Sequence, residues 1–330
     1  MMNIKEVRNE LLNEKYYDID HPSGLKILVM PKENYSSTYA IFATKYGSID
    51  TMIQMDDGTF KEIPEGTAHF LEHKLFESED LDAFERFAKT GASANAYTSF
   101  DRTGYLFSCS ANFKKNLEIL LDFVQNPYFT QATVEKEQGI IGQEIDMYKD
   151  APDWEVMFNC LRTMYHNLPV RIDIAGTQES IAQITAKTLY GCYDNFYNLH
   201  NMVLAVAGNV SVDEVIEVAD KALKPVEGKM AQRKVIDEPK EVLDSYVEEK
   251  LSVATPQFMF GFKESWDTPE RTTKEEISME ILLDMISGQS SELYKRLFDG
   301  KLINSSFGFE YFTGFGYSCV LFAGESNDPK

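Results

Sequence analysis

The segment EGTAHFLEHKLFE, residues 65–77, carries two histidines four positions apart, with a glutamate directly before the second. On a helix, residues at i and i+4 share a face, about 5–6 Å apart at Cβ. A helix here therefore lets His69 and His73 converge on one ion. Glu72, three residues after His69, lies on the adjoining side of that turn, where a carboxylate can reach a metal-held water without ligating the metal. The competing reading is an ordinary polar helix face turned to solvent.

Neutral imidazoles suit zinc, and a catalytic zinc takes three protein ligands and keeps one position open. The pattern HxxEH inverts the HExxH motif of metallopeptidases. Beside such a metal, Glu72 is placed to act as general base toward an attacking water and then to return the proton to a departing amine. A third ligand has to come from elsewhere. His21, His166 and His200 fall in loops or at element ends, where surface or capping roles are expected. The stretch VEKEQGIIGQEIDMYKD, residues 134–150, reads as a helix despite its two glycines, and Glu137 and Glu144 are two turns apart on one of its faces. Spacing alone leaves those carboxylates as a solvated stripe or as groups directed at a metal.

Charge narrows the function classes. The 330 residues include 53 acidic and 32 basic ones, a formal net charge of −21, with no basic run. A phosphate backbone or an anionic membrane surface would be repelled, so neither nucleic acid nor membrane is an expected partner. The N-terminal MMNIKEVRNELLNEKYYDID lacks the apolar core of a signal peptide, and no stretch has the length of a membrane-spanning helix. Cys109, Cys160, Cys192 and Cys319 lie far apart without a CxxC pair, as expected of reduced thiols in a cytoplasmic protein. Neither GxSxG nor GxxxxGK[ST] occurs, and the glycines of FGFEYFTGFGYS read as turns and bulges between strands.

Outward from the motif, LKILVMP (25–31), STYAIFATKYG (37–47), NAYTSFDRTGYLFSCS (95–110) and MVLAVAGN (202–209) have strand character. Helical patterns cover DLDAFERFAKTG (80–91), NFKKNLEILLDFVQNP (112–127), DWEVMFNCLRTMYH (153–166) and VDEVIEVADKAL (212–223). Strands first, helices in the middle and a strand near the end predict an α+β fold with a mainly antiparallel sheet and helices packed on it. Residues 224–245, rich in proline and charge, read as a linker between a 1–223 domain and a 246–330 domain. The later stretch runs strand, helix, helix, strand, strand, repeating the order from Thr38 to Ser110, but its ILLDMISGQ helix offers no metal-binding set. ESNDPK follows a strand without a closing helix, so the second domain is expected to be a partial, degenerate repeat.

With these residues in view, the sequence resembles the pitrilysin and insulinase family of zinc metallopeptidases, in particular its bacterial, processing-peptidase-like branch. EQGIIGQE (137–144) matches the family's paired glutamates, which implies Glu144 as third zinc ligand and Glu137 as a carboxylate that organises the site. GASANAYTSFDRTGY (91–105) is similar to the family's edge strand, which implies that Asn95, Ala96 and Tyr97 pair with a peptide backbone. KYGSID (45–50), AGT (175–177) and LAVAGNV (204–210) extend the likeness from about Gly24 to Leu223. The resemblance implies two similar halves with zinc in the first, and a zinc-dependent endopeptidase of peptides or small unfolded proteins. It also implies a homodimer or a related second subunit as partner. An arginine and a tyrosine late in the family's second half have no counterpart before residue 330, so activity is expected to need a further segment or a partner. The alternative within the same family is a noncatalytic subunit that docks a peptide.

Overall fold

The structure is a computed structural model that describes residues 2–55, 57–79, 81–228, 231–264 and 270–329. Residues 1, 56, 80, 229–230, 265–269 and 330, which the expected stretches and domains include, lie outside the described residues. The chain forms two compact units, Met1–Ile141 with Ile174–Arg233, and Gly142–Asp173 with Lys234–Lys330.

In the first unit, β1 (Asn3–Asn9), β2 (Glu14–Asp20), β3 (Lys26–Pro31) and β4 (Thr38–Thr44) precede a short hairpin, β5 (Met52–Gln54) and β6 (Phe60–Glu62). Helices α1 (Thr67–Leu75) and α2 (Ala83–Ala88), strands β7 (Ser93–Thr98) and β8 (Thr103–Cys109), and helix α3 (Phe113–Gln125) follow. Helix α4 (Gln131–Lys149) begins in this unit and ends in the other, which also holds α5 (Pro152–Met164). The first unit resumes with α6 (Gln178–Ile181), α7 (Ala186–Phe196), β9 (Met202–Gly208) and α8 (Val212–Ala222).

Its seven-stranded sheet has the order β1-β2-β3-β9-β4-β8-β7. Every pairing is antiparallel except β3 with β9. Alternation in β4 explains its place: Thr38, Ala40, Phe42 and Thr44 are buried, while Tyr39 between them is exposed. Ala40 and Phe42 pair with Phe107 and Tyr105 of β8, and α3 lies on both strands with Leu117, Leu120, Leu121 and Val124 buried. Each large apolar side chain buried in this way contributes about 1.5–3 kcal/mol. The β1–β2 hairpin was not legible in the sequence because β1 is exposed at all but Val7 and only Ile19 of β2 is buried, so no apolar alternation marks it.

The entry to α1 is set by backbone. Gly66 caps the helix at φ 81°, and a Cβ there would lie 2.3 Å from the carbonyl oxygen of Ala175. Only glycine combines that left-handed conformation with so close an approach. The adjoining Ser180 hydroxyl donates to the Glu65 carbonyl at 2.9 Å, so the AGT segment and α6 hold the first turn of the motif helix.

The second unit contains β10 (Gln257–Lys263), α9 (Thr273–Ser287), α10 (Glu292–Asp299), β11 (Gly308–Gly314) and β12 (Tyr317–Glu325). Its sheet order, β10-β12-β11, reproduces β4-β8-β7, with both pairings antiparallel in each case. The repeat expected from element order is thus also a repeat of strand pairing. Residues 224–245 contain no helix or strand among those described. The boundary between units falls inside that segment, at Arg233 and Lys234. Helix α5 packs on the distant strand β10, and residues 142–173 fall in the second unit with it. All four cysteines are buried free thiols, and burial pushes Cys192 and Cys319 up to about 12. No helix among the described residues is long and apolar enough to cross a membrane.

Glu238, from the expected linker, is an anchor of the second unit. Its carboxylate accepts from Lys263 Nζ at 2.6 Å and from the backbone N–H groups of His166, Asn167 and Leu168 at 2.7–2.9 Å. Burial pushes the carboxyl up, but Lys263 and the three N–H groups outweigh it and hold Glu238 below its usual 4.5. Its contribution to stability is therefore full above about pH 4.5 and lost as the pH falls through the lower folded-state value. Lys263→Met, which leaves that carboxylate without its cation, is expected to destabilise the unit by about 3 kcal/mol at neutral pH. Urea unfolding as a function of pH checks this; an unchanged midpoint at pH 7 would show that the ion pair contributes nothing.

Candidate metal centre

The sequence left two readings of α1, a metal site or a solvated polar face, and burial bears against the second. His69 and Glu72 are each only 8% exposed, and His73 is half-buried. A solvated face would leave these groups in water; here they are packed inward together. The imidazole centroids of His69 and His73 are 4.6 Å apart. One ligand atom from each of His69, Glu72 and His73 falls in a group spanning no more than 4.8 Å.

The orientation of His73 is set from outside its helix. Its Nδ1 lies 3.0 Å from Glu137 Oε1 on α4, and the Glu137 side chain is 10% exposed. A carboxylate only accepts, so Nδ1 carries the hydrogen and the ring lone pair sits on Nε2. A metal-ligating histidine commonly donates its other N–H to a carboxylate in this way, which fixes the tautomer and raises ligand basicity. Two imidazoles on one helical turn, His69 buried and His73 half-buried and braced by the Glu137 carboxylate, with the Glu72 carboxylate close beside them, fit zinc.

Glu72 also has a partner outside α1: Thr98 Oγ1 of β7 donates to its Oε2 at 3.2 Å. Nearby, the hydroxyls of Tyr105 and Tyr197 meet at 2.8 Å in full burial. Burial pushes both phenols well above their usual range, and the Glu72 charge pushes in the same direction, so both stay protonated at any working pH.

The remaining expected residues fall as follows. Glu144 lies two turns beyond Glu137 on α4, half-buried, and accepts from the Tyr148 hydroxyl at 2.7 Å. Asn95, Ala96 and Tyr97 are on β7, the terminal strand of the sheet order. Asn95 and Tyr97 are exposed, Ala96 is half-buried, and the Asn95 side chain accepts from the Ala96 N–H at 2.9 Å. Of the surface or capping roles expected of His21, the surface one does not hold, while its Nδ1 does accept from the Ser23 N–H at 3.2 Å. It is buried, with Nδ1 2.8 Å from Ser23 Oγ and Nε2 3.0 Å from Asp220 Oδ1, which ties the turn before β3 to α8.

Sequence reasoning missed Thr98, Tyr105 and Tyr197. For Thr98 a signal was present: period-two alternation from Ala94 and Ala96 puts it on the half-buried side of β7. The two tyrosines are 92 residues apart, and nothing local in the sequence pairs them.

Comparison with known proteins accords with this geometry. Residues 49–178 match the insulinase family, peptidase family M16, and residues 183–329 match the peptidase M16 inactive domain. The chain is 43% identical over 332 residues to the uncharacterized zinc protease YmfH of Bacillus subtilis (strain 168), across 99% of this chain and 78% of that protein. A structure described as an M16-like peptidase from Alicyclobacillus acidocaldarius superposes with a TM-score of 0.89 at 38% identity, over 99% of this chain and 75% of that one. The mitochondrial-processing peptidase subunit beta of Bos taurus is 37% identical over 160 residues, 47% of this chain and 32% of that protein. From its site, its repeated sheets and these relatives, the chain belongs to the insulinase family of peptidases, family M16.

Proposed function

We propose that this chain carries the catalytic centre of a zinc-dependent endopeptidase acting on peptides or small unfolded proteins. The observation that supports this most directly is the gathering of buried His69 and Glu72 with half-buried His73, which Glu137 holds. In this reading His69, His73 and Glu144 hold the zinc. Glu137 and Glu144 share a face of α4, and Glu137 already meets His73, which is the ground for directing Glu144 to the same ion. Bound zinc would polarise the scissile carbonyl and acidify water.

The chain's own residues supply the rest. Glu72 takes the proton from the water that attacks the peptide carbonyl and passes it to the departing amine. Glu137 keeps the His73 tautomer with its lone pair on Nε2. The terminal strand β7 adds the substrate backbone at Asn95, Ala96 and Tyr97 through main-chain hydrogen bonds, which tolerates many side chains. Residues 1–223 serve as the zinc-binding half and 246–330 as part of its degenerate repeat. The bovine relative is named as a subunit, which favours a homodimer or a related second subunit as partner.

In zinc-loaded full-length protein, Glu72→Gln is expected to lower cleavage of a quenched-peptide library by at least about 100-fold without loss of zinc. Wild-type turnover in that variant would remove Glu72 from the proton path. For the metal, Glu137→Gln is expected to weaken zinc binding by about 10–100-fold, and Glu144→Gln by more. Competition against a chromogenic chelator reads both, and a Glu144→Gln protein with wild-type zinc affinity would exclude Glu144 as a ligand.

A further inference from the structure

Glu72 stands on α1, but the hydroxyl that meets its carboxylate belongs to Thr98, the last residue of β7. Strand alternation turns Ala94, Ala96 and Thr98 to the half-buried side and Ser93, Asn95 and Tyr97 to the exposed side. The strand placed to receive a peptide backbone is thus the one that reaches the proposed base.

Thr98 is held from both directions. In the ladder it pairs with Thr103, and just beyond it the Ser99 N–H donates to the Arg102 carbonyl at 2.8 Å. That turn is docked on residues 47–50. The N–H groups of Ser48 and Ile49 donate to the carbonyls of Ser99 and Phe100 at 3.0 Å. A Cβ on Gly47 would lie 2.4 Å from the Phe100 oxygen, so the two turns meet this closely only because residue 47 is glycine.

Arg233 fastens the pair of turns. Its Nε donates to Asp50 Oδ1 at 2.7 Å, and its Nη2 donates to Asp50 Oδ2 at 2.9 Å and to the Asp101 carbonyl at 2.6 Å. Asp50 also accepts from the Gly47 N–H at 2.9 Å. The Asp50 side chain is 4% exposed and that of Arg233 14%, so this two-pronged contact is shielded from solvent and its geometry is rigid. The Thr98 hydroxyl is consequently presented to Glu72 from a fixed backbone.

We propose that Thr98 is a positioning residue: its hydroxyl holds the Glu72 carboxylate in the orientation from which it exchanges protons with water and the leaving amine. The proposal rests on Glu72 being the general base. It gives β7 two roles, receiving the peptide on its open edge and holding the base with its inward side chain.

The test compares Thr98→Val, which keeps the shape and removes the donor, with Thr98→Ser, which keeps the donor. Both are made in zinc-loaded full-length protein and assayed with the best-cleaved member of a quenched-peptide library. Thr98→Val is expected to lower kcat by about 10–100-fold with little change in KM, zinc content or Tm. Thr98→Ser is expected to restore most of the rate. Wild-type kcat in Thr98→Val beside an inactive Glu72→Gln overturns the proposal while leaving Glu72 as base. Equal loss in both Thr98 variants also overturns it, because packing would then explain the effect. An active Glu72→Gln overturns the base assignment and the proposal with it. If Thr98→Val does not fold, or no peptide is cleaved, the crystal structure of the zinc-loaded wild type decides. A Thr98 Oγ1 within 3.5 Å of the Glu72 carboxylate supports the proposal, and a longer separation overturns it.

Discussion

Burying polar side chains on a short helix is the constraint on which this site depends. His69 and Glu72 lie inside the first unit, and a buried imidazole or carboxylate without a compensating hydrogen bond or charge is costly. Other elements supply partners: Glu137 of α4 for His73, and Thr98 of β7 for Glu72. The sheet that carries β7, the packing around α1 and the close contact of Gly66 with Ala175 all bring those partners within reach. Two imidazoles and a carboxylate gathered in this way favour a cation, which is why the geometry and the M16 relatives point to the same chemistry.

The two units show how one strand arrangement can carry different chemistry. β4-β8-β7 and β10-β12-β11 are paired alike, and each set has two helices between its first and second strands. In the first, α1 turns polar residues inward. In the second, the corresponding α9 has no histidine and exposes Ile277, Ile281 and Met285. Pairing is set by backbone hydrogen bonds and strand alternation, which tolerate many side chains, whereas a metal site requires particular donors at particular positions.

Residues 224–245 illustrate the limit of composition as a guide. Proline and charge predicted an irregular segment, and none of its described residues is helical or in a strand. Yet Arg233 is locked to Asp50 in the first unit, and Glu238 to Lys263 and three backbone N–H groups in the second. Irregular backbone is therefore not loose backbone here: the charges that mark the segment as polar are the groups that fasten it.

What the sequence determined by itself is local. The four-residue spacing of His69 and His73, the position of Glu72 between them and the alternation of β4 are all read through helix and strand periodicity. They make the fold class and the core of the site legible in the order of residues alone, and the family resemblance singles out the paired glutamates of α4. Only the tertiary structure decided which distant groups meet: Thr98 with Glu72 across 26 residues, Glu137 with His73 across 64, and Arg233 with Asp50 across 183. It also decided the parallel pairing of β3 with β9. The reason is physical: neighbours on one helix or strand are fixed by backbone geometry, whereas contacts between elements depend on how the whole sheet and its helices bury their apolar faces.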